Sequence, residues 1–146
     1  LAELPSVRGD PDQISQAFIN IVKNAIEAMH EQGGELIVKT DVGEVIRLGK
    51  IQRSGTRVGE EMVWGEEEEM SRPIPAVFIE ISDTGEGISE ANLKSLFDPF
   101  FTTKMTGTGM GLPITLRIID EHKGSLKVRS KEGKGTTFII TLPQKH

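Results

Sequence analysis

From Asp12 to His30 apolar residues recur at helical spacing, with Ile14, Ala17, Phe18, Ile21, Val22, Ala25, Ala28 and Met29 on one side. A helix this long and this one-sided has to bury its stripe against another layer, which makes a layered domain the natural solution. Asp10 stands in the N-cap position, Pro11 suits the first helical residue, and Gln13 completes a capping-box pattern three residues after Asp10. Gly33 and Gly34 stop the helix.

The segments that follow supply the second layer. Glu35 to Val42 places Leu36, Val38, Thr40 and Val42 on one face, as in a strand half-buried against the helix. Between Gly43 and Pro75 the pattern dissolves into glycines, a glutamate run and short apolar pieces such as Val45, Ile46, Leu48 and Ile51, so a hairpin or flexible acidic insertion is expected there. A strand resumes over Ala76 to Ser82, with Val77, Ile79 and Ile81 on one face, and runs into Asp83-Thr84-Gly85-Glu86-Gly87-Ile88. Ser89 caps a short helix reaching Phe97, and Asp98 to Thr108 has no period and reads as a long loop. Leu112, Thr115, Leu116, Ile119 and His122 form another helical stripe, with Pro113 near its start and Gly124 at its end. Ser125 to Ser130 and Thr136 to Leu142 read as strands joined by a hairpin over Lys131 to Gly135. No internal repeat is visible, and residues 1–146 are expected to form one domain.

Composition narrows the chemistry. The absence of cysteine removes disulfides, thiolate metal sites and cysteine nucleophiles, and His30, His122 and His146 lie too far apart for metal-ligand spacing. Carboxylates, amides, lysines and backbone groups remain. Of the 22 acidic residues six are Glu60, Glu61 and Glu66 to Glu69, so the other 16 face 17 basic residues and the acidity belongs to one segment. The net charge of −5 argues against a nucleic-acid partner. No apolar run approaches the ~20 residues of a membrane helix, and Leu1 to Asp10 lacks the regions of a signal peptide, so a cytoplasmic domain that does not enter the membrane is expected.

Half of the sixteen glycines fall between Asp83 and Gly135, most of them in three clusters: Gly85/Gly87, Gly107/Gly109/Gly111 and Gly133/Gly135. Such spacing lets backbone approach a ligand closely, though any single cluster also fits a tight turn, above all Gly133/Gly135. No Gly-Lys-Ser/Thr stands at P-loop spacing, and Gly107-x-Gly109-x-Gly111 misses the dinucleotide fingerprint. On the first helix Asn20, Asn24 and Glu27 make a polar stripe at i, i+4 and i+7. Two amides one turn apart can aim oxygens at one ion, or the stripe is simply a solvated face.

Taken in order, Asn20-Ile21-Val22-Lys23-Asn24-Ala25, Asp83-Thr84-Gly85-Glu86-Gly87-Ile88, Phe97-Asp98-Pro99-Phe100-Phe101-Thr102-Thr103-Lys104, Gly107-Thr108-Gly109-Met110-Gly111-Leu112 and Gly133-Lys134-Gly135-Thr136 resemble the asparagine, glycine and phenylalanine boxes of bacterial sensor histidine kinases. The resemblance runs from Pro5 to Leu142 outside the insertion, and Phe100-Phe101-Thr102-Thr103-Lys104 looks most similar to the nitrogen-regulation type. It implies an α+β fold, a two-layer α/β sandwich of the Bergerat kind. A mixed sheet of about five strands would carry about three helices on one face, with an ATP lid between the phenylalanine box and the second glycine box.

For the site, the resemblance implies ATP and Mg²⁺. Asp83 would accept from the exocyclic amine of adenine, with Gly85 and Gly87 clearing space for the ring and Ile88, Leu112 and Thr136 or Thr137 lining the pocket. Asn24, and less directly Asn20, would place side-chain oxygens on Mg²⁺ as the catalytic pair, with Glu27 assisting through water. Thr108, Gly109, Met110 and Gly111 would meet the phosphates through backbone N–H groups at a helix start, joined by Lys104. Phe97, Phe100 and Phe101 would anchor the lid or touch a partner domain.

Hydrolysing relatives of the superfamily, such as gyrase B and the heat-shock chaperone, carry a water-activating glutamate one turn before the metal-binding asparagine. Here that place holds Asn20, which is no base, so ATP would be kept for another nucleophile. The implied reaction is transfer of the γ-phosphoryl group to a histidine on a separate dimerisation and phosphoacceptor domain of the same protein. A response regulator receiver domain would take it next, and the full-length protein would be a homodimer. His30, His122 and His146 do not stand in the acceptor motif. The alternatives are a serine protein kinase of the same superfamily and a non-catalytic nucleotide-sensing module.

Overall fold

The computed structural model describes residues 6–29, 33–45, 56–58, 61–64, 74–98 and 111–144. Helix α1 spans Pro11–Ala28, and its start follows the capping chemistry read from the sequence. The Asp10 carboxylate accepts from the N–H groups of Asp12 at 2.9 Å and Gln13 at 3.4 Å, which satisfies donors that have no partner inside the helix. Ala17, Ile21 and Ala25 are its buried ridge. The helix ends at Ala28, a little before the periodicity does.

Strand β1 (Leu36–Val45) pairs with β4 (Ile74–Asp83), and between them in sequence lie β2 (Thr56–Val58) and β3 (Glu61–Trp64). After β4 come the short helix α2 (Glu90–Lys94), helix α3 (Gly111–Glu121), and strands β5 (Ser125–Lys131) and β6 (Gly135–Pro143). Together they make one sheet of order β1-β4-β6-β5-β3-β2.

This corrects the expected mixed sheet of about five strands, since the sheet has six and each described pairing is antiparallel. The physical reason lies in the crossover through α2 and α3. It does return β5 in the direction of β4, but β6 threads between them and hydrogen-bonds to both. Two of the six strands come from the segment between β1 and β4, whose hairpin β2–β3 joins the far edge through Met62↔Val128. Glu60 and Glu66 to Glu69 lie outside the described residues.

The core forms between the helices and one face of the sheet. Val77, Ile79 and Ile81 of β4, Leu126 and Val128 of β5, and Phe138, Ile140 and Leu142 of β6 meet Ile21 of α1 and Leu116 and Ile119 of α3. Leu93 and Phe97 close the same cluster beside α2. Among the described residues no helix is long and apolar enough to cross a membrane.

Edge strand β1 departs from expectation. Leu36, Val38 and Val42 do share a face, opposite Asp83, Ile81 and Val77, yet they are 37%, 41% and 49% exposed. The helix layer sits over the centre of the sheet, where α1 packs chiefly on α3 and on β4, so little of it covers β1.

His122 joins the two helices at the end away from the glycine clusters. Its Nε2 accepts from the backbone N–H of Asp10 at 3.0 Å, so the ring proton sits on Nδ1 and is donated to the Ile118 carbonyl at 2.7 Å. The ring is buried, and a side chain at Gly9 would collide with it. Replacing His122 by alanine opens a void and strands the Asp10 N–H, so urea titration of His122→Ala is expected to show a loss of about 2–4 kcal/mol. A loss below about 0.5 kcal/mol, the scale of ordinary surface substitutions, would refute this role.

Candidate functional site

The site is built where β4 ends beside the start of β6. Asp83 and Thr136 face each other across that ladder and are both buried. The Asp83 carboxylate accepts from the Gly85 N–H at 2.8 Å, and the backbone N–H of Thr136 lies on its side of the ladder, where it favours the charged form. Burial nonetheless dominates and pushes this carboxyl above the usual carboxylate range, against the lowering effect of those two donors. Asp83 also lines an open groove, where its carboxylate can meet a further N–H donor.

Behind it the hydroxyls form a relay centred on Ser130. Ser130 Oγ accepts from the Ile88 N–H at 2.8 Å, donates to the Gly135 carbonyl at 3.0 Å, and lies 2.8 Å from Thr136 Oγ1. With the Ser130 proton committed to Gly135, Thr136 is the donor of that last pair and keeps its lone pairs for another partner. Ser130 is absent from the sequence-derived set. The signal that could have found it is the hairpin register, which pairs Ser130 with Thr136. Thr137 turns its hydroxyl to the opposite face of the sheet, 2.9 Å from that of Ser82, although the residue still borders the groove beside Asp83.

The glycines also have a structural job. A side chain on Gly85 would strike the Ala28 carbonyl at 2.6 Å, and one on Gly87 would strike the Lys131 carbonyl at 2.0 Å. The space a side chain would take there is therefore filled by backbone, from the last turn of α1 and from the β5–β6 hairpin. Gly135 is the reciprocal contact, its missing side chain set against the Asp83 carbonyl at 2.1 Å with a φ of +90. The Gly133 N–H donates to the Glu86 carbonyl at 2.6 Å and the Glu86 N–H to that of Ala28 at 3.2 Å. First and third glycine clusters are thus interlocked, and Asp83 is held by the lock. A groove of about 490 Å³ opens beside it, lined by Ile88, Leu93, Ser130, Gly135 and Thr136.

The polar stripe of α1 forms the other side. Asn20 and Asn24 are half-buried and Glu27 is exposed. Asn20 bonds to Gly111 and Thr115, which brings the stripe against the first turn of α3, and Leu112 packs half-buried on the core. Among the described residues no group of three His, Asp or Glu side chains could hold a metal. The amide of Asn24 and the carboxylate of Glu27 carry hard oxygens too few for a cage, which fits an Mg²⁺ that takes its remaining ligands from phosphates and water. Lys104, Gly107, Thr108, Gly109 and Met110, with Phe100 and Phe101, lie outside the described residues, whereas Phe97 is buried in the core.

Comparison with known proteins agrees with this arrangement. Sporulation kinase E of Bacillus subtilis (strain 168) is 38% identical over 97% of this chain and 15% of its own length. The sensory histidine kinase/phosphatase NtrB of Azospirillum brasilense is 34% identical over 96% of this chain and 31% of its own. The chain therefore spans less than a third of either relative. Among solved structures, the nucleotide-free catalytic domain of the histidine kinase ThkA superposes with a TM-score of 0.64 at 30% identity, over 96% of this chain and 73% of that one. Residues 9–146 match the family described as histidine kinase-, DNA gyrase B-, and HSP90-like ATPase, and the chain belongs to that ATP-binding family.

Proposed function

We propose that residues 1–146 are the catalytic ATP-binding domain of a sensor histidine kinase, which presents the γ-phosphoryl group of ATP to a histidine on a separate dimerisation and phosphoacceptor domain of the same protein. A receiver domain of a response regulator would then take the phosphoryl group. The observation that carries the reading is Asp83: a buried carboxylate at a strand end, next to the Thr136 hydroxyl and the apolar Ile88, in a chain of an ATP-binding family. An adenine amine would supply a further N–H to this carboxylate, while guanine would set a carbonyl against it.

Asn24 would hold Mg²⁺, with Glu27 assisting through water. Magnesium, when bound, neutralises phosphate charge and orients the triphosphate. The chain's own residues do the rest. Ile88, Leu112 and Thr136 hold the base, and Gly111 opens the helix whose first N–H groups meet the phosphates. Lys104, Thr108, Gly109 and Met110 would complete the phosphate side. Position 20 offers an amide and no base, which leaves water unactivated and favours the lone pair of a neutral imidazole. A domain working on ATP belongs on the cytoplasmic side, and the full-length protein would act as a homodimer.

Incubating this chain with radiolabelled ATP, Mg²⁺ and a separately prepared acceptor domain is expected to give an acid-labile phosphoprotein. Asn24→Ala should lower the rate at least a hundredfold, about 2.7 kcal/mol in the barrier. An acid-stable product would point to a serine kinase, and nucleotide binding without any transfer to a competent acceptor would point to a sensing module.

Asp83 also yields a stability prediction. Its carboxyl titrates higher in the folded chain than unfolded, so the contribution it makes is fully present below the ordinary carboxylate value and is lost as pH rises through the folded value. Asp83→Asn removes the charge and keeps an acceptor for Gly85 and Thr136. The variant is expected to melt at or above the wild-type temperature at pH 7, with its advantage shrinking towards pH 4, while losing its preference for adenosine over guanosine nucleotides. Retained preference would refute the role of Asp83.

A further inference from the structure

Three hydrogen bonds hold the carboxamide of Asn20. Nδ2 donates to the Gly111 carbonyl at 3.0 Å and to Thr115 Oγ1 at 3.1 Å, while Oδ1 accepts from Gln16 Nε2 at 3.0 Å. Thr115 is 0% exposed, and its hydroxyl donates to the same Gly111 carbonyl at 2.8 Å. Chemistry dictates the direction of the carboxamide, because a carbonyl only accepts and the NH₂ end alone can face it. The result is a closed triangle of side-chain hydrogen bonds joining the middle of α1 to the first residue of α3.

Resting on the reading that the phosphates lie between α1 and the start of α3, we propose that Asn20 is a positioning residue and not a metal ligand. It acts through its NH₂ group, fixing the N-terminus of α3 at a set distance from Asn24. Asn24 lies one turn further along α1, about 5–6 Å away in helix geometry, so a displaced Gly111 changes the width of the space in which phosphates must fit. Charge interactions there weaken with each added ångström, and misplacement of about 1 Å is enough to matter for positioned phosphoryl groups. A carboxylate at position 20 could not make the tie, since it would oppose the Gly111 carbonyl with negative charge. On this account position 20 carries either a water-activating acid or an α1–α3 tie, and this chain has the tie. The base end, around Asp83 on β4 and Thr136 on β6, stands apart from it.

The test is calorimetric titration of Asn20→Ala, Asn20→Asp, Thr115→Val and the double variant Asn20→Ala/Thr115→Val with Mg-ATP and with adenosine. Loss of the tie is expected to weaken Mg-ATP about tenfold and leave adenosine unchanged, the scale of one hydrogen bond. Thr115→Val should reproduce most of the Asn20→Ala loss, and the double variant should lose no more than the worse single one. Asn20→Asp should be at least as weak as Asn20→Ala. Backbone amide exchange over residues 111–115 should be faster in nucleotide-free Asn20→Ala. The proposal would be overturned by Asn20→Asp binding Mg-ATP as well as wild type, by adenosine affinity falling in step with Mg-ATP, or by fully additive losses. Wild-type chain that binds neither ligand would sink the nucleotide reading, whereas unchanged exchange at 111–115 would sink the tie.

Discussion

A carboxylate cannot be kept dry at a strand end unless the backbone around it is held tightly enough to exclude water and aim N–H groups at it. In this chain the interlock of Gly87 with Lys131 and of Gly135 with Asp83 does that holding. Each contact needs a residue without a side chain, and each lies between a loop and a hairpin that are distant in sequence. Any side chain at Gly87 or Gly135 would drive the β5–β6 hairpin away from the end of β4. Asp83 would then lose the backbone frame that holds it at the strand end, and with it, on the proposed reading, the basis of base selection.

The helical layer answers a second demand, that the phosphate side keep its dimensions. α1 and α3 are tied at two places, by His122 to Asp10 and Ile118 at the start of α1 and by Asn20 in its middle to Gly111 and Thr115 at the start of α3. Between the ties Ile21, Leu116 and Ile119 join the common core. The pair behaves as one wall, and the interlocked glycines, through Ala28, attach its far corner to the base end. On the proposed reading, base recognition and phosphate placement would be built on different elements that share a frame.

Much of this was legible before any coordinates. The N-cap at Asp10, the buried ridge of α1 and the strand running into Asp83 follow from local capping and periodicity, which are properties of short windows. What was not legible depends on contacts between distant segments. Gly85 and Gly87 read as room for a ligand, and nothing local shows that the Ala28 and Lys131 carbonyls stand where their side chains would be. Gly124 reads as the stop of α3, but the left-handed residue is Lys123, with a φ of 61. β1 alternates like a half-buried strand, and only the placement of the helix layer explains why Leu36 and Val42 stay exposed. Ser130 escaped because a single serine in a strand has no signature until the register pairs it with Thr136.

The stability and the selectivity of this site pull in opposite directions, and their sizes decide which matters. Raising the Asp83 carboxyl costs folding free energy at neutral pH, a cost kept modest by the donors from Gly85 and Thr136. A charge-assisted hydrogen bond in a dry site is worth about 1.5–3 kcal/mol, roughly ten- to over a hundredfold in affinity. Guanine forfeits that bond and also brings an oxygen against the anion, so discrimination should exceed the value of the bond alone. A fully solvated aspartate would fold at less cost and discriminate far less, because water would replace whichever donor the base lacks. If Asp83 reads the base as proposed, burial would therefore be the source of the selectivity, and a base with an amine in the right place would offset its cost.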